Sequence, residues 1–475
     1  MYLADKLTDM CSSSLFDFVD LFAGIGGFHA ALGALGGRGV YASEIDTLAA
    51  DVYERNWRLR PEGDIIPATS SRMDVPGHDV LAAGFPCQPF SKSGYQRGMD
   101  EARGSLFWNI LRVLETRRPT VVLLENVRNL AGPRHAHEWD VIVRSLRELG
   151  YRVSSTPAVF SPHLLPPERG GRPQVRERVL ILGTYVGKRK AEQDVAPIVR
   201  NRALAGWDPQ DWDLDTHLPL VPEHAIKDRD RYSLSVTEQE WIEAWDDFVR
   251  SLRAAGMLRP PGFPIWRDAF VHERDLLVDE GTPYWKADFL EKNARLYTAF
   301  QPVIDAWLDR WNGLDHFPPS RRKLEWQAQD AKSMWETVMH FRPSGVRAKR
   351  PTYLPALVAI TQTSIVGQHR RRITPVEAAR LQGLPEWFDF GDQADAATYK
   401  QLGNGVNAGV AYHVLRQHVL RDLDIIRKRA PGLAAAVEDS PGTPDQRLES
   451  YWAPSKAPMR TRSGLRAEID LRSAG

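Results

Sequence analysis

Cysteine is almost absent from this chain: its 475 residues hold two, Cys11 and Cys87. Cys11 lies in a polar leader, so a structural disulfide is not expected, and a reducing compartment fits. No Cys/His cluster has the spacing of a zinc site, and no metal is expected. Long apolar runs are lacking too, and none approaches the roughly 20 residues of a membrane span. Met1 to Asp17 has neither the basic start nor the apolar stretch of a secretory signal, so the expected location is the cytoplasm. Charge of one sign is also missing. Lys and Arg number 62 against 61 Asp and Glu, a formal net charge of +1. Any surface for a polyanion must therefore be local.

What the chain does have is length for two to three domains and material for a substantial core. It is organised around Gly84-Phe85-Pro86-Cys87-Gln88-Pro89-Phe90-Ser91. The apolar run Val80-Leu81-Ala82-Ala83 before it reads as a buried strand. Pro86 and Pro89 fix φ on either side of the thiol, which would hold one reactive atom still at a strand tip. Cys87 is thus a candidate nucleophile, and an inert buried cysteine is the alternative.

Upstream, Asp17 to Phe22 reads as a strand, Ala23-Gly24-Ile25-Gly26-Gly27 as a turn, and Phe28 to Leu32 as the start of a helix. Strand, glycine turn and helix make the first half of a nucleotide-binding unit. The spacing is G-x-G-G rather than G-x-G-x-x-G, so a dinucleotide is disfavoured. Val40 to Glu44 is a second strand ending in an acid about 20 residues past the glycines, where ribose hydroxyls would bind. Asp46 can cap a helix over Thr47 to Trp57. Asp74-Val75 precedes the next strand and either meets a ligand or closes a turn. Leu106, Ile110, Leu111 and Leu114 have helical spacing, and Pro119 stops that helix.

Thr120 to Leu124 is a buried strand with Glu125-Asn126-Val127 at its carboxyl end, the sheet edge where ligands bind in open α/β folds. A carboxylate there needs a partner: a substrate N–H, or a structural arginine such as Arg128. Gly150 to Val153 and Arg178 to Gly183 are two further strands. Gln174-Val175-Arg176-Glu177-Arg178 sets two guanidiniums at i and i+2, which share a face on a strand or decorate a solvated edge.

From Gly187 the texture changes. Ten of the fifteen tryptophans fall between residues 188 and 345, in a segment without strand–helix alternation. They either stack on bases or build a small core. From Arg342 to Arg372 there is no Asp or Glu but seven Arg or Lys, among them Arg342, Arg347, Lys349 and Arg350. This is a basic surface suited to phosphates, or a solvated linker. Thr374-Pro375-Val376-Glu377 is a capping box for a helix that Gly383 ends. Gln401 to Val406 is a turn before a final helix, roughly Asn407 to Ile426, and after Lys428 the polar chain is expected to be disordered.

Together these stretches resemble the C5-cytosine DNA methyltransferases. The glycine loop from Phe22 to Gly27, the Cys87 loop, Glu125-Asn126-Val127, Gln174/Arg176/Arg178, the helix from Arg371 to Pro385 and Gly403 to Val406 stand in that family's order. They cover about residues 18–185 and 371–426. Gly405 departs from the Ser or Ala usual in the family. The resemblance implies an α/β Rossmann-like domain with a doubly wound, mostly parallel sheet and a smaller target recognition domain. The expected division is a leader (1–17), a catalytic cofactor-binding domain (18–187), a target recognition domain (188–350), a return to the catalytic domain (351–426) and a tail (427–475).

It also implies a mechanism. Cys87 attacks C6 of an extruded cytosine, Glu125 holds the N3 and N4 edge, Arg178 faces O2 and Arg176 supports it. S-adenosylmethionine donates the methyl group. The family's cofactor contacts carry over to Phe22, Gly24, Gly26, Gly27, Glu44, Ile45, Asp74, Val75, Pro86, Leu106, Asn404 and Gly405. DNA contacts are expected at Gln88 and Ser91 and, from the basic segment, at Arg342, Arg347, Lys349 and Arg350. The implied partner is double-stranded DNA, held between the two domains of a nucleoid-associated monomer, with a cognate restriction endonuclease in the same system. An RNA cytosine methyltransferase, a silent DNA-binding regulator and a nicotinamide dehydrogenase are the competing classes.

Overall fold

The computed structural model describes residues 15–70, 72–86, 105–218, 220–357 and 363–451. Cys11, Cys87, Gln88 and Ser91 lie outside the described residues. The chain divides into two compact units: Met1–Trp212 with Ala356–Ala359 and Ala378–Gly475, and Asp213–Pro355 with Ile360–Glu377.

The first unit is built on a seven-stranded sheet. Its strands are β1 (Phe16–Leu21), β2 (Gly37–Ser43), β3 (Val80–Gly84), β4 (Val121–Val127), β5 (Tyr151–Val153), β6 (Ala158–Phe160) and β8 (Arg178–Tyr185), while β7 (Gln174–Val175) stands outside it. The order is β2-β1-β3-β4-β8-β5, with β6 also on β8. The β1–β2, β1–β3 and β3–β4 pairs are parallel, and β8 alone runs against its neighbours. Val80 to Ala83 and Val121 to Leu124 are completely buried, as expected of parallel strands covered on both faces.

Helices α1 (Gly27–Ala34), α2 (Thr47–Trp57), α3 (Leu106–Arg117) and α4 (Ala136–Glu148) belong to this unit. Asp46 caps α2, accepting from the amides of Leu48 and Ala49 at 3.1 and 3.2 Å. The predicted apolar stripe of α3 is real: Ile110, Leu111 and Leu114 are fully buried in one cluster with Leu81, Val122 and Leu124. Burial of each such side chain contributes about 1.5–3 kcal/mol.

Three features depart from the sequence reading. The turn at Gln401 is the end of a helix, Asp395–Asn404. The final helix breaks at Asp422, between Ala408–Arg421 and Leu423–Arg429. There the buried Asp422 carboxylate accepts from Thr184 Oγ1 at 2.5 Å and Arg152 at 3.0 Å. The chain expected to be a disordered tail is instead helical over Pro431–Glu438 and Asp445–Tyr451. Leu433, Ala436 and Val437 are fully buried, and a Cβ on Gly432 would stand 1.7 Å from the Leu15 carbonyl oxygen. That close approach gives the segment a partner its polar composition conceals. Residues 452–475 lie outside the described residues.

The first unit also runs on past 187 to Trp212. The indoles of Trp207 and Trp212 both donate to the His163 carbonyl, at 3.0 and 2.8 Å, which ties this segment to the first unit.

The second unit holds a six-stranded sheet, in the order 371–372, 365–366, 338–342, 345–349, 323–327, 265–266. Two helices, Val236–Ala254 and Tyr284–Arg310, belong to it. The first opens with a capping box from Ser235 and Glu238, and the second is kinked at Phe300, two residues before Pro302. Trp245, Trp307 and Trp326 are buried, and each indole N–H reaches a carbonyl: Arg321 at 2.8 Å, Ala244 at 2.8 Å and Gln329 at 3.1 Å. These tryptophans build a core.

The capping box at Thr374 forms as predicted, with Thr374 N donating to Glu377 Oε2 at 2.7 Å and Glu377 N to Thr374 Oγ1 at 3.3 Å. Glu377 does more than cap. Arg371 grips it with two hydrogen bonds of 2.9 and 2.8 Å, and both side chains are at most 1% exposed. Removing one partner of a buried pair strands the other charge. Glu377→Ala is therefore expected to lower unfolding free energy by about 3–5 kcal/mol in urea titrations, and Arg371→Met/Glu377→Met by markedly less.

Candidate active site

The carboxyl ends of four strands meet at one sheet edge because of their register. Leu21 pairs with Ser43 on one side and Ala83 on the other, and Gly84 pairs with Glu125. The segments that follow are the glycine loop, Glu44, Phe85-Pro86 and Asn126. Cys87, three residues along the chain from Gly84, is outside the described residues. Gly84 marks where they converge. A Cβ there would stand 3.7 Å from Val406 Cγ2, 3.8 Å from Glu125 Oε2 and 3.9 Å from the Phe22 carbonyl oxygen. Asn126, itself buried, donates to the Phe85 carbonyl at 3.0 Å and so tethers the root of the Cys87 loop to β4.

Glu125 is 8% exposed. Among the described residues its partner is Arg178, Nε to Oε1 at 3.0 Å. Val127 registers with Arg178 and Glu125 with Leu180, so Arg178 and Glu125 lie diagonally on one face. Arg128, the partner the sequence offered, pairs instead with Glu177 at 3.3 Å. Burial pushes the Glu125 carboxyl above its ordinary range. The Arg178 and Arg176 charges pull it back without cancelling that rise.

Arg176 is 2% exposed. Its guanidinium donates to the carbonyls of Leu357 at 3.3 Å, Gly403 at 2.9 Å and Gly405 at 2.6 Å. Burial, then repulsion from Arg178, brings it down to about 9. Arg176 thus braces the loop that carries Asn404. Gly405 has an ordinary negative φ, and the nearest described atoms to a Cβ there would be the Gln401 and Leu402 carbonyl oxygens, at 3.3 and 3.6 Å. Its departure from Ser or Ala is therefore sterically minor.

In the glycine loop Phe22, Gly24 and Gly26 have φ of 56°, 53° and 93°. Gly27 leaves no room for a side chain, since a Cβ would fall 2.2 Å from the Val406 carbonyl oxygen. Glu44 accepts from the amides of Gly24 and Asp46, both at 2.8 Å. Ile45 beside it is 75% exposed. Asn404 and Pro86 are exposed, and Leu106 packs half-buried against the core. Asp74 is exposed and pairs with Arg72 at 3.3 Å, while Val75 is core.

The basic segment is less free than its sequence implied. Arg347 Nε reaches Glu325 at 2.7 Å, Arg342 approaches the same carboxylate at 3.6 Å, and Arg350 meets Asp330 at 2.8 Å. Lys349 sits 3.5 Å from the Tyr353 ring centre, and burial with the Arg347 charge takes it down to about 8. The missed features share a cause: Asn126 on Phe85 and Arg176 on Gly403 are side-chain-to-backbone bonds that no local pattern announces.

A mostly parallel sheet with a glycine turn, an acid and a carboxylate–guanidinium pair at its carboxyl edge defines an α/β fold of the Rossmann-like methyltransferase type. The model of the C-5 cytosine-specific DNA methylases matches residues 16–420, and the chain belongs to that family of DNA cytosine methyltransferases. It is 46% identical over 507 aligned positions to the Type II methyltransferase M.AluI of Cellulosimicrobium cellulans, covering 90% of this chain and 97% of that one. It is 42% identical to M.BanI of Aneurinibacillus aneurinilyticus over 84% of this chain and 94% of the other. With M.HhaI of Haemophilus parahaemolyticus the match is 41% identical but spans 35% of this chain and 48% of that one.

Because Arg178 lowers the Glu125 pKa, Arg178→Met is expected to raise it further. The infrared band of the neutral carboxyl should then persist to higher pH than in the unsubstituted protein, and Glu125→Gln identifies the band.

Proposed function

We propose that this chain methylates C5 of a cytosine turned out of a specific duplex DNA site, as the modification enzyme of a Type II restriction–modification system with a cognate endonuclease. The observation that carries the reading is the buried Glu125–Arg178 pair, in register with the strand that leads into Cys87. The resemblance of nearly the whole length to M.AluI supports the system assignment.

Cytosine C5 is a poor nucleophile until C6 is attacked. Cys87 thiolate adds to C6, and the ring electrons move so that C5 becomes enamine-like. Glu125, whose carboxyl is shifted upward by burial, would give a proton to N3 and accept from the N4 amino group. Arg178 meets the charge that develops toward O2. An ordinary thiol is only a few per cent ionised at pH 7, so the site must favour the thiolate or couple its formation to base binding. Loss of the C5 proton to a base and departure of Cys87 restore the ring. Turning the base out of the stack costs a few kcal/mol.

S-adenosylmethionine, when bound, supplies the methyl group. The residues suit it. Among the described residues Gly24 has no atom within 4 Å of a would-be Cβ, which would leave an opening beside the loop. Glu44 makes two backbone contacts and keeps acceptor capacity for two hydroxyls. Exposed Ile45 offers an apolar face to a base, and Asp74 a carboxylate to its amino group. Phe22, Gly26, Gly27, Val75, Pro86, Leu106, Asn404 and Gly405 complete the set. The second unit would read base edges in the major groove. Gln88 and Ser91 would lie along the DNA, and Arg342, Arg347, Lys349 and Arg350 would exchange internal partners for phosphates.

Cys87→Ala is expected to abolish transfer of labelled methyl groups to plasmid DNA while DNA affinity stays within about threefold, since the thiol carries chemistry rather than charge. Residual near-normal turnover would sink covalent catalysis, and transfer to tRNA in preference to plasmid would sink the DNA assignment. Glu44→Ala is expected to weaken S-adenosylmethionine binding by about 1–3 kcal/mol in calorimetry, the cost of unpaired hydroxyls.

A further inference from the structure

Below the glycine loop lies a buried aromatic and polar cluster that the proposed chemistry does not use. Its centre is Trp57, the last residue of α2 and 6% exposed. The indole N–H donates to the carbonyl of Ile25 at 2.9 Å. Ile25 is 2% exposed and sits inside the loop, between Gly24 and Gly26. A Cβ built on Gly26 would fall 2.0 Å from Trp57 Nε1 and 2.7 Å from Cδ1. The side chain that Gly26 lacks is thus the seat of the indole edge, and this explains the glycine independently of its φ of 93°.

The cluster continues through His29 in the first turn of α1, whose ring stacks on the indole at 4.6 Å and 16°. His29 Nδ1 bonds the Tyr53 hydroxyl at 2.7 Å, and that hydroxyl reaches Asp20 Oδ2 at 3.5 Å. Tyr53 and Trp57 are four residues apart on α2, so one helical face presents both. The ring edge also meets Trp387 at 5.6 Å and Phe388 at 5.9 Å. The adjacent Asn56 exchanges two hydrogen bonds of 2.8 Å with the backbone of Asp389. One indole therefore joins the loop to α1, to α2 and to the returning chain at 387–389.

We propose that Trp57 is a positioning residue for the cofactor loop, and that its indole N–H, not its bulk alone, holds the loop in the shape that receives S-adenosylmethionine. This rests on the reading that the loop binds that cofactor. A buried carbonyl with no donor is costly, so losing this one N–H favours loop shapes in which Ile25 finds another partner. Phenylalanine in the same seat keeps the stack on His29 and the contact with Gly26, and removes only the donor. The indole faces loop backbone, so the effect falls on cofactor affinity and leaves the chemical step alone.

The test is calorimetry and steady-state kinetics on full-length Trp57→Phe. The dissociation constant for S-adenosylmethionine is expected to rise about tenfold, with the same rise in its KM. The turnover number at saturating cofactor and the affinity for DNA should stay within about twofold. Tyr53→Phe, which alters the cluster without touching the loop carbonyl, should leave cofactor affinity within about twofold. An unchanged dissociation constant in Trp57→Phe overturns the proposal, and so does an equal loss in Tyr53→Phe. If the unsubstituted chain binds no S-adenosylmethionine, it is the reading of the loop that fails. Should Trp57→Phe not fold, hydrogen exchange on the unsubstituted chain reads the same contact. Peptides covering 22–30 and 53–58 must gain protection together when S-adenosylmethionine is added, and protection of the first alone overturns the proposal.

Discussion

The constraint on which the site depends is the register of β3 between β1 and β4. A slip of one residue would turn every side chain of the strand to its other face and carry Gly84 away from Glu125. Apolar alternation cannot prevent that slip, because Val80 to Ala83 are buried on both faces. Polar clamps at the strand ends do. At the amino end the Asp17 amide donates to Asp79 Oδ2 at 3.0 Å, and backbone bonds join Asp79 to Asp17 and Val121 to Asp79. At the carboxyl end Asn126 holds the Phe85 carbonyl. Asn126, beside Glu125, is therefore a registration device for the strand.

The guanidiniums of buried Arg176 and half-buried Arg178 repel, and each needs a compensating acceptor. Arg178 finds a carboxylate and Arg176 three carbonyls. This division of labour follows from their different burial. The more deeply buried Arg176 is drawn toward neutrality, to about 9, and carbonyl dipoles satisfy it without a second buried anion. Glu125 stays above its ordinary range because two positive neighbours do not outweigh its desolvation.

The parts legible in the sequence are those with a short-range cause. The run Val80 to Ala83, the Asp46 cap and the box Thr374 to Glu377 depend on neighbours within four residues, and each forms as read. The Trp245, Trp307 and Trp326 core could not be separated from a base-stacking surface, since both use the same residue types. The apparent polycation from Arg342 to Arg350 is largely neutralised by Glu325 and Asp330, which lie outside the segment. The last helices hide in a polar composition because their partners are other helices: Pro431–Glu438 lies against Ala408–Arg421, and Asp445–Tyr451 against α1, more than 400 residues away by chain. The order of motifs was legible, whereas their cross-bracing was not.

Carboxylates in this protein can be sorted by how much of their acceptor capacity is spent. A carboxylate offers about four lone-pair positions. Glu377 fills them all, with two bonds from Arg371 and one each from the amides of Val221 and Thr374. Nothing is left for a ligand, and its role is to hold the fold. Among the described residues Glu44 gives two to backbone amides and keeps the rest. Glu125 meets Arg178 through one oxygen among the described residues. Burying a carboxylate while leaving it undersaturated costs stability, and folding alone gives no reason to bear that cost at a strand end. On the proposed function, a base edge with one acceptor and two donors would supply the missing partners of the unsaturated acid.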